Sequence, residues 1–325
     1  MVNREGTSLF KIDKDYLEKK AEDLGYVRDN LEKMLRLIDI LEYLNTNPTL
    51  SNCLALKGGT AINLVNFDLP RLSVDIDLDY LITDQREEMF ENRSEITRLI
   101  YEHMLANGYI LSKKSKQHHS LDSWIYDYEG VSGNRDHIKI DINYSLRAHL
   151  FDAFEQSIIT HKLDNRIKIN SLHPMEIFSS KINALINRTA ARDLYDVYNM
   201  IQENIFMKSE FDILRKCVVF YVAITQNHID KDFNLSAIEA FDYHQIKREL
   251  IPLLRKRNSF DLESAKSVTI RFIRELMILT VKEREFLDRF VEGEYLPELL
   301  FDDQSILDRI KYHPMALWKT RNAKE

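Results

Sequence analysis

The stretch KGGTAINLVNFDLPRLSVDIDLD occupies residues 57–79 and joins a paired glycine to a ladder of acidic residues. Gly58 and Gly59 stand where a helix is predicted to begin. Glycine lets backbone N–H groups approach a phosphate closely, and a helix N-terminus adds partial positive charge. The alternation of apolar and polar residues over 72–80 then predicts a half-buried strand with one acidic face. A phosphate cradle joined to carboxylates predicts chemistry on a nucleoside triphosphate.

Three aspartates share the polar face of this predicted strand: Asp75, Asp77 and Asp79. Residues two apart lie about 6.5–7 Å apart along a strand and point the same way. Carboxylates this close repel one another unless a cation joins them, and aspartate is depleted in strands. We therefore predict that Asp75 and Asp77 bind Mg²⁺ or Mn²⁺, and that Asp79 points beyond the metal. The alternative is a solvated acidic edge strand.

A second alternating segment, residues 137–144, predicts another strand with an acid on its polar face. If this strand neighbours the first, Asp141 would complete a three-acid site for two Mg²⁺ ions. Lys139 would lie beside Asp141 as a phosphate contact or an ion-pair partner. The alternative is an exposed strand face that mixes lysine and aspartate.

Composition predicts a mostly helical, globular protein of about two domains, since the chain has 325 residues. The content of 8 glycines and 6 prolines argues against a disordered, fibrous or turn-rich all-β chain. The formal net charge of −7 does not exclude a nucleic-acid binder, because binding needs only a local basic patch. Residues 113–119 and 255–257 are candidates for such a patch, although for either segment alone a solvated loop is the favoured interpretation.

The chain has two cysteines, Cys53 and Cys217, in apolar contexts that predict buried, inert thiols. Such rare cysteines fit a reducing compartment and offer no zinc-site spacing. The first seven residues lack the apolar core of a signal peptide, and no window approaches eighteen consecutive apolar residues. We therefore expect a cytoplasmic location without a membrane span.

From Pro174 onward the pattern is almost wholly helical, which places the expected domain boundary near residue 170. The predicted domains are residues 1–170 and residues 171–325. Lys181 stands on the first of these helices, between apolar residues one turn away on either side. Either its stem lies on apolar surface with the ammonium in solvent, or its charge faces a triphosphate.

The motif over residues 192–196 places two acids, Asp193 and Asp196, three residues apart on one helical side. These acids are candidates for the same reaction as Lys181. The alternative is surface capping and pairing with Arg188 or Arg192.

In their order along the chain, these segments resemble the AbiEii/AbiGii toxin family, the MenT-like nucleotidyltransferases of bacterial toxin–antitoxin and phage-defence systems. No single segment is specific, but the ordered set is. The segments that carry the resemblance are residues 56–61, 71–78, 140–143, 176–185, 192–196, 295–301 and 313–319.

The resemblance implies an α+β fold: a nucleotidyltransferase mixed sheet flanked by helices, with a helical C-terminal domain. It implies that Asp75 and Asp77 bind Mg²⁺ and that Lys181 neutralises the triphosphate. Asp193, or else Asp196, would complete the site, and Asp141 matches the third-acid position of the wider fold. The residues predicted to bind the nucleotide are then Lys57, Gly58, Gly59, Thr60 and Ser73.

The implied reaction is transfer of a nucleotide from an NTP to RNA with release of pyrophosphate. Some relatives extend the tRNA 3′ end and so stop translation, which makes an NTP, a tRNA acceptor and a cognate antitoxin the expected partners. Other functions stay open: GTP or nucleotide binding without transfer, a metal-dependent phosphohydrolase or nuclease, or transfer to a small molecule or protein. The glycine pair before the acidic strand favours transfer, because a nuclease has less need of a triphosphate cradle.

Overall fold

The computed structural model describes residues 12–83, 86–158 and 167–323. Residues 1–7, in which the sequence predicts no signal peptide, lie outside the described residues. The described chain divides into two compact units. Unit 1 comprises residues up to 147 together with 153–171 and 253–258, and unit 2 comprises 148–152, 172–252 and the residues from 259 onward. The domain split at residue 170 stays a prediction, and two short segments depart from it.

Unit 1 begins with helices α1 (Lys14–Leu24), α2 (Arg28–Thr46) and α3 (Pro48–Cys53). Apolar residues at helical spacing bury one face of α2. The side chain of Asn47 caps α3 by accepting hydrogen bonds from the amides of Thr49 and Leu50. Pro48 occupies the first helical position, where its missing N–H costs nothing. The sequence pattern indicates that α2 ends here, but it does not show that a new helix begins.

Eight strands within the described residues form one mixed sheet in unit 1, in the order β3-β5-β6-β2-β1-β8-β7, with β4 paired to β5. Strand β2 runs antiparallel to β1 and parallel to β6. The predicted mixed sheet with flanking helices is confirmed. The strands are β1 (Leu54–Lys57), β2 (Asp75–Tyr80), β3 (Ile110–Leu111), β4 (Lys116–Gln117), β5 (Leu121–Glu129), β6 (Arg135–Asn143), β7 (Phe154–Ser157) and β8 (Lys168–Ser171).

Two helices connect these strands. Helix α4 (Gly58–Ala61) follows β1 and continues as a π-turn over Ile62–Asn66. Helix α5 (Arg86–Ala106) follows β2.

The predicted strand over residues 72–80 is shorter in the structure, because β2 starts at Asp75. Residues 71 and 72 pair elsewhere: the Leu72 amide donates to the carbonyl oxygen of Leu253 at 2.9 Å, and Arg71 forms a β-bridge with Leu254. Within β2 the alternation holds, with Ile76 fully buried on the core face. Residues 253 and 254, far along the chain, therefore pair with the backbone of residues 71 and 72, so these two residues do not extend β2.

Unit 2 is helical throughout its described elements, as the pattern after Pro174 predicts. No helix among the described residues is both long and apolar enough to cross a membrane. The buried thiol of Cys217 lies in the apolar interior of α8, and burial raises its pKa. The helices are α6 (Pro174–Arg188), α7 (Ala191–Gln202), α8 (Phe211–Thr225), α9 (Ser236–Glu239), α10 (Tyr243–Glu249), α11 (Leu262–Leu276), α12 (Val281–Val291), α13 (Gln304–Ile310) and α14 (Pro314–Asn322).

Candidate active site

The paired glycine forms the turn between β1 and α4. Gly58 has a φ of +68°, which glycine adopts without strain. A Cβ atom at Gly58 would collide with the carboxylate of Asp77, and one at Gly59 would lie 2.6 Å from Nη2 of Arg71. Gly58 therefore requires glycine, because its backbone has a positive φ and lies directly against the acidic strand.

Thr60 fastens the turn to the start of β2. Its side chain is fully buried, and its hydroxyl donates to the carbonyl oxygen of Asp75. The hydroxyl oxygens of Thr60 and Ser73 lie 2.7 Å apart, and Ser73 is itself buried. These contacts give Thr60 a positioning role. The phosphate contacts predicted for Thr60 and Ser73 stay predictions.

Asn63 holds the same turn from the π-turn that follows it. The fully buried side chain donates from Nδ2 to the carbonyl oxygen of Gly59 at 2.7 Å. Single π-turns inside helices are frequent at functional sites. Asn63 was not predicted as a site residue, and the available signal is one amide side chain in an otherwise apolar run over residues 61–65.

Arg71 brings positive charge to the turn and was also missed. It is 1% exposed. Among the described side chains that are less than 2% exposed, it is the largest. Its Nη1 donates to the carbonyl oxygen of Leu72 at 3.0 Å, while Nη2 lies against Gly59. Burial of a charge is costly unless it is paired or hydrogen-bonded, and here the guanidinium is hydrogen-bonded to the backbone. The available signal is a lone arginine two residues before Ser73.

The acidic face forms where β2 and β6 lie side by side. In register, Asp77 pairs with Asp141 and Asp75 pairs with Lys139, as expected if the two predicted strands are neighbours. Asp141 accepts hydrogen bonds from Ser123 at 2.7 Å and from Lys139 at 2.5 Å.

The ammonium of Lys139 responds to these acids. Burial works to lower the pKa of Lys139, but the hydrogen bond and charge of Asp141, with the charges of Asp75 and Asp77, outweigh it and raise the pKa. The lysine therefore already acts as a cation in the field of the acidic face.

The donor set of the acidic face fits a hard divalent cation, because Mg²⁺ prefers carboxylate oxygens. Asp75 and Asp77 are partly exposed on one side of β2, and Asp77 adjoins the Gly58 backbone. Among residues 12–83, 86–158 and 167–323, no group of three or more potential ligands converges on one metal position. The three-acid site with Asp141 stays a prediction. Asp75 and Asp77 fit as metal ligands by the chemistry of their carboxylates, and Asp141 accepts hydrogen bonds from Lys139 and Ser123.

Lys57 and Asp79 form a separate ion pair at the far end of the same face. Their charged atoms lie 2.5 Å apart, and Asp79 is 2% exposed. This pair neutralises Asp79 next to the acidic face. The nucleotide contact predicted for Lys57 stays a prediction.

Unit 2 carries a buried charge cluster between α6 and α7. Nζ of Lys181 lies 2.8 Å from Oδ1 of Asp193 and 3.3 Å from Oδ2 of Asp196. Nε of Arg188 lies 2.7 Å from Oδ2 of Asp193. The expected pairing of Asp193 with Arg188 is present, but the acids are not at the surface, since each is 1% exposed. The ammonium of Lys181 is also buried rather than in solvent.

The charges of this cluster lower the pKa of Asp193. Burial alone would raise the pKa of Asp193, but the neighbouring Lys181 and Arg188 outweigh it and lower the pKa to about 2. A carboxylate with so low a pKa is a poor general base at neutral pH. The Asp193 carboxylate is therefore better suited to holding a neighbouring cation than to accepting a proton.

The two basic segments have different surroundings. Arg255 is used structurally, since Nε donates to the Tyr26 hydroxyl at 3.1 Å and Nη2 donates to the Leu69 carbonyl oxygen at 3.2 Å. Lys256 and Arg257 line a cavity that acidic residues also border. The lysines of residues 113–119 are exposed.

Comparison with known proteins finds a matching family and similar solved structures. A family model described as the nucleotidyl transferase AbiEii toxin of type IV toxin–antitoxin systems matches residues 39–300. MenT4, a nucleotidyltransferase toxin from Mycobacterium tuberculosis, has a similar structure with a TM-score of 0.63 and 14% identity, covering 94% of this chain and 99% of that chain. No curated protein sequence matches. The likeness to MenT4 shows a shared fold, and the family match includes both the glycine turn and the Lys181 cluster.

Proposed function

This chain belongs to the AbiEii family of nucleotidyltransferase toxins, and we propose from that premise that it transfers nucleotides from an NTP to the 3′ end of an RNA, with tRNA as the acceptor. Membership of the family makes it a nucleotidyltransferase of a toxin–antitoxin system. The RNA acceptor, the dependence on Mg²⁺ and the block of translation are the proposed parts. The observation that most supports metal-dependent nucleotide transfer is the close packing of the Gly58 backbone on Asp77, which brings a phosphate-binding turn next to a carboxylate.

In the proposed reaction, an acceptor hydroxyl loses its proton to solvent and attacks the α-phosphorus of the NTP. A new O–P bond forms, the bond to the bridging oxygen breaks, and pyrophosphate leaves. The backbone of Gly58 and Gly59, with the guanidinium of Arg71 beside it, would bind the phosphates. Asp75 and Asp77 would hold Mg²⁺, which when bound neutralises charge on the attacking and leaving oxygens.

We assign the Lys181 ammonium to charge neutralisation in the same reaction. Asp193 and Asp196 fix this ammonium from two sides, at 2.8 and 3.3 Å. An ammonium fixed in this way loses little further freedom when it meets a phosphate, which is the benefit of preorganised charge in catalysis. The two acids would thus position Lys181 rather than react themselves.

One assay tests the proposal. The protein is incubated with each α-labelled NTP, Mg²⁺ and total RNA, and the products are run on a denaturing gel. We expect labelled RNA of near-tRNA size from the wild type and none from Asp75→Ala. Bound nucleotide without a covalent product, shortened RNA, or label in a small molecule or protein would each refute transfer to RNA.

The toxin role has its own test in cells. Expression of the wild-type protein is expected to arrest growth, and Asp75→Ala is expected to relieve the arrest. Co-expression of the neighbouring gene product tests for the antitoxin that the family's role implies. Equal growth arrest by the wild type and Asp75→Ala would contradict an enzymatic basis for toxicity.

A further inference from the structure

A row of polar side chains crosses the sheet of unit 1, from the acidic face to its basic edge. Strand register pairs Asp77 with Asp141, Asp141 with Ser123, and Ser123 with Lys116. Residues paired in register project from the same face of a sheet. Neighbouring strands lie about 4.8 Å apart, so three steps separate Lys116 from Asp77 by about 14 Å. The hydrogen bond of 2.7 Å from Ser123 to Asp141 lies within this row.

Arg93 fixes the backbone at the basic edge of the sheet, which is the segment over residues 113–119. Its guanidinium donates to the carbonyl oxygens of His118 and His119 at 2.6 and 2.9 Å. It also forms a bidentate pair with Asp122 at 3.0 and 2.5 Å, in which Arg93 is 5% exposed and Asp122 is fully buried. At the other end of the segment, the Ser115 hydroxyl oxygen accepts from the Ile125 amide at 2.9 Å. The lysines at this edge therefore stand on a fixed backbone.

Three of these lysines, Lys113, Lys114 and Lys116, are exposed and form what we call the basic ledge. A polyanionic acceptor that approaches Asp75 and Asp77 meets repulsion from the acidic face, and the whole chain has a formal charge of −7. Local cations on the approach path offset such repulsion and steer association. The basic ledge supplies these cations at the edge of the face that carries the acids.

We propose that the basic ledge binds the phosphate backbone of the acceptor RNA and directs its 3′ end along the row toward Asp75 and Asp77. This inference rests on the proposed function, because it names the surface that the RNA acceptor uses. Lysine is a point charge without bidentate base recognition, so the ledge reads phosphates rather than sequence. Binding through it is therefore salt-dependent and tolerant of RNA sequence.

The test measures RNA binding without NTP or metal. Fluorescence anisotropy with 5′-labelled unfractionated tRNA is recorded between 50 and 200 mM KCl. For Lys113→Gln/Lys114→Gln/Lys116→Gln we expect about tenfold weaker binding, with the slope of log Kd against log salt reduced by about two to three. A matched control, Lys208→Gln/Lys247→Gln/Lys282→Gln, makes the same change in net charge at exposed positions of unit 2. We expect it to keep the wild-type salt slope.

The outcomes separate the two proposals. Unchanged binding by the ledge variant, or equal weakening by both triple variants, overturns the basic ledge and leaves nucleotide transfer standing. Selective weakening by the ledge variant supports the ledge even if the gel assay shows no transfer, which would refute the proposed function alone. Thermal melting of both variants at the wild-type midpoint shows that the fold is intact.

Discussion

The identity of Gly58 depends on both its backbone conformation and its neighbour. The φ of +68° costs an L-residue roughly 1–2 kcal/mol, and the carboxylate of Asp77 fills the space that a Cβ would need. Gly58→Ala is therefore expected to move the turn away from β2 and to reduce nucleotide transfer by at least about a hundredfold, because active-site geometry is sensitive to shifts of about 1 Å. Transfer rate and the urea midpoint of unfolding check this together.

Gly133 offers a matched control for that prediction. Its φ is +79°, but a Cβ there would meet only Oε1 of Glu129, at an ordinary 3.9 Å. Gly133→Ala should therefore cost similar backbone strain and leave transfer unchanged. Equal losses of transfer in both variants would show that Gly58 acts only through stability.

The low pKa of Asp193 predicts a pH-dependent contribution to stability. The folded pKa of about 2 lies below the unfolded value near 4, so the contribution is present above pH 4 and is lost as the pH falls toward 2. Asp193→Asn should reduce the free energy of unfolding by about 2 kcal/mol at neutral pH. The part due to Arg188, which is 64% exposed, is the part that solvent screens.

Urea unfolding of the wild type and Asp193→Asn from pH 7 down to pH 2 measures this effect. We expect the stability difference between them to shrink below pH 4. A difference that stays constant over that range would mean that Lys181 does not stabilise the ionised carboxylate.

At the scale of single elements, the π-turn over Ile62–Asn66 acts through one amide. Asn63 holds the Gly59 carbonyl oxygen at 2.7 Å, and its side chain is fully buried. Asn63→Leu is close in volume but leaves that carbonyl oxygen without this donor, which costs about 1–3 kcal/mol of stability. We expect a raised KM for NTP with a smaller change in kcat, because the turn that would hold the phosphates is no longer fixed.

Steady-state kinetics with varied NTP concentration test this positioning role. Asn63→Gln, which retains the amide on a longer side chain, is expected to recover part of the loss. If Asn63→Leu lowers stability without any change in KM, the residue is only part of the core.

Elements were predictable where a long amphipathic pattern meets one apolar core. Helices α2, α5 and α6 follow from helical spacing, and β6 follows from alternation, because each buries one face. Strands β7 and β8 have four residues each, too few for a convincing alternation. Helix α3 begins at the Asn47-Pro48 pair, which also ends α2. The pair therefore indicates the end of one helix and does not by itself reveal the start of the next.

The candidate site was predictable only in part for a similar reason. Glycine pairs and alternating acids are local signals, so Gly58, Asp75 and Asp77 could be singled out from the sequence. The importance of Arg71 and Asn63 depends on contacts with Gly59, and Arg71 also depends on the bridge to Leu254. Buried polar residues of this kind are recognised only when their distant partners are known.

At the scale of the whole molecule, unit 1 is not continuous in sequence. Residues 253–258 belong to it although the chain on both sides belongs to unit 2. Leu253 accepts from the Leu72 amide at 2.9 Å, and Arg255 contacts Tyr26 and Leu69. A fragment that ends at residue 171 lacks these contacts. We expect its Leu72 amide to exchange with solvent much faster than in the full-length protein.

Hydrogen exchange measured on both proteins tests this, with the amides of β2 as an internal control for folding. The β2 amides should stay protected in the fragment, because their partners in β1 and β6 are present. Equal protection of the Leu72 amide in fragment and full-length protein would contradict a role for residues 253–258 in unit 1.

Because residues 253–258 come late in the sequence, their contacts within unit 1 can form only late in synthesis. The strand that carries Asp75 leaves the ribosome early, but its preceding residues obtain their backbone partner only when Leu253 follows, more than three quarters of the way through the chain. At about 5–20 residues per second, that interval lasts on the order of ten seconds or more. A nascent chain therefore has an incomplete backbone pairing just before β2 during more than half of its own translation. A message broken before codon 253 encodes a protein that never completes it.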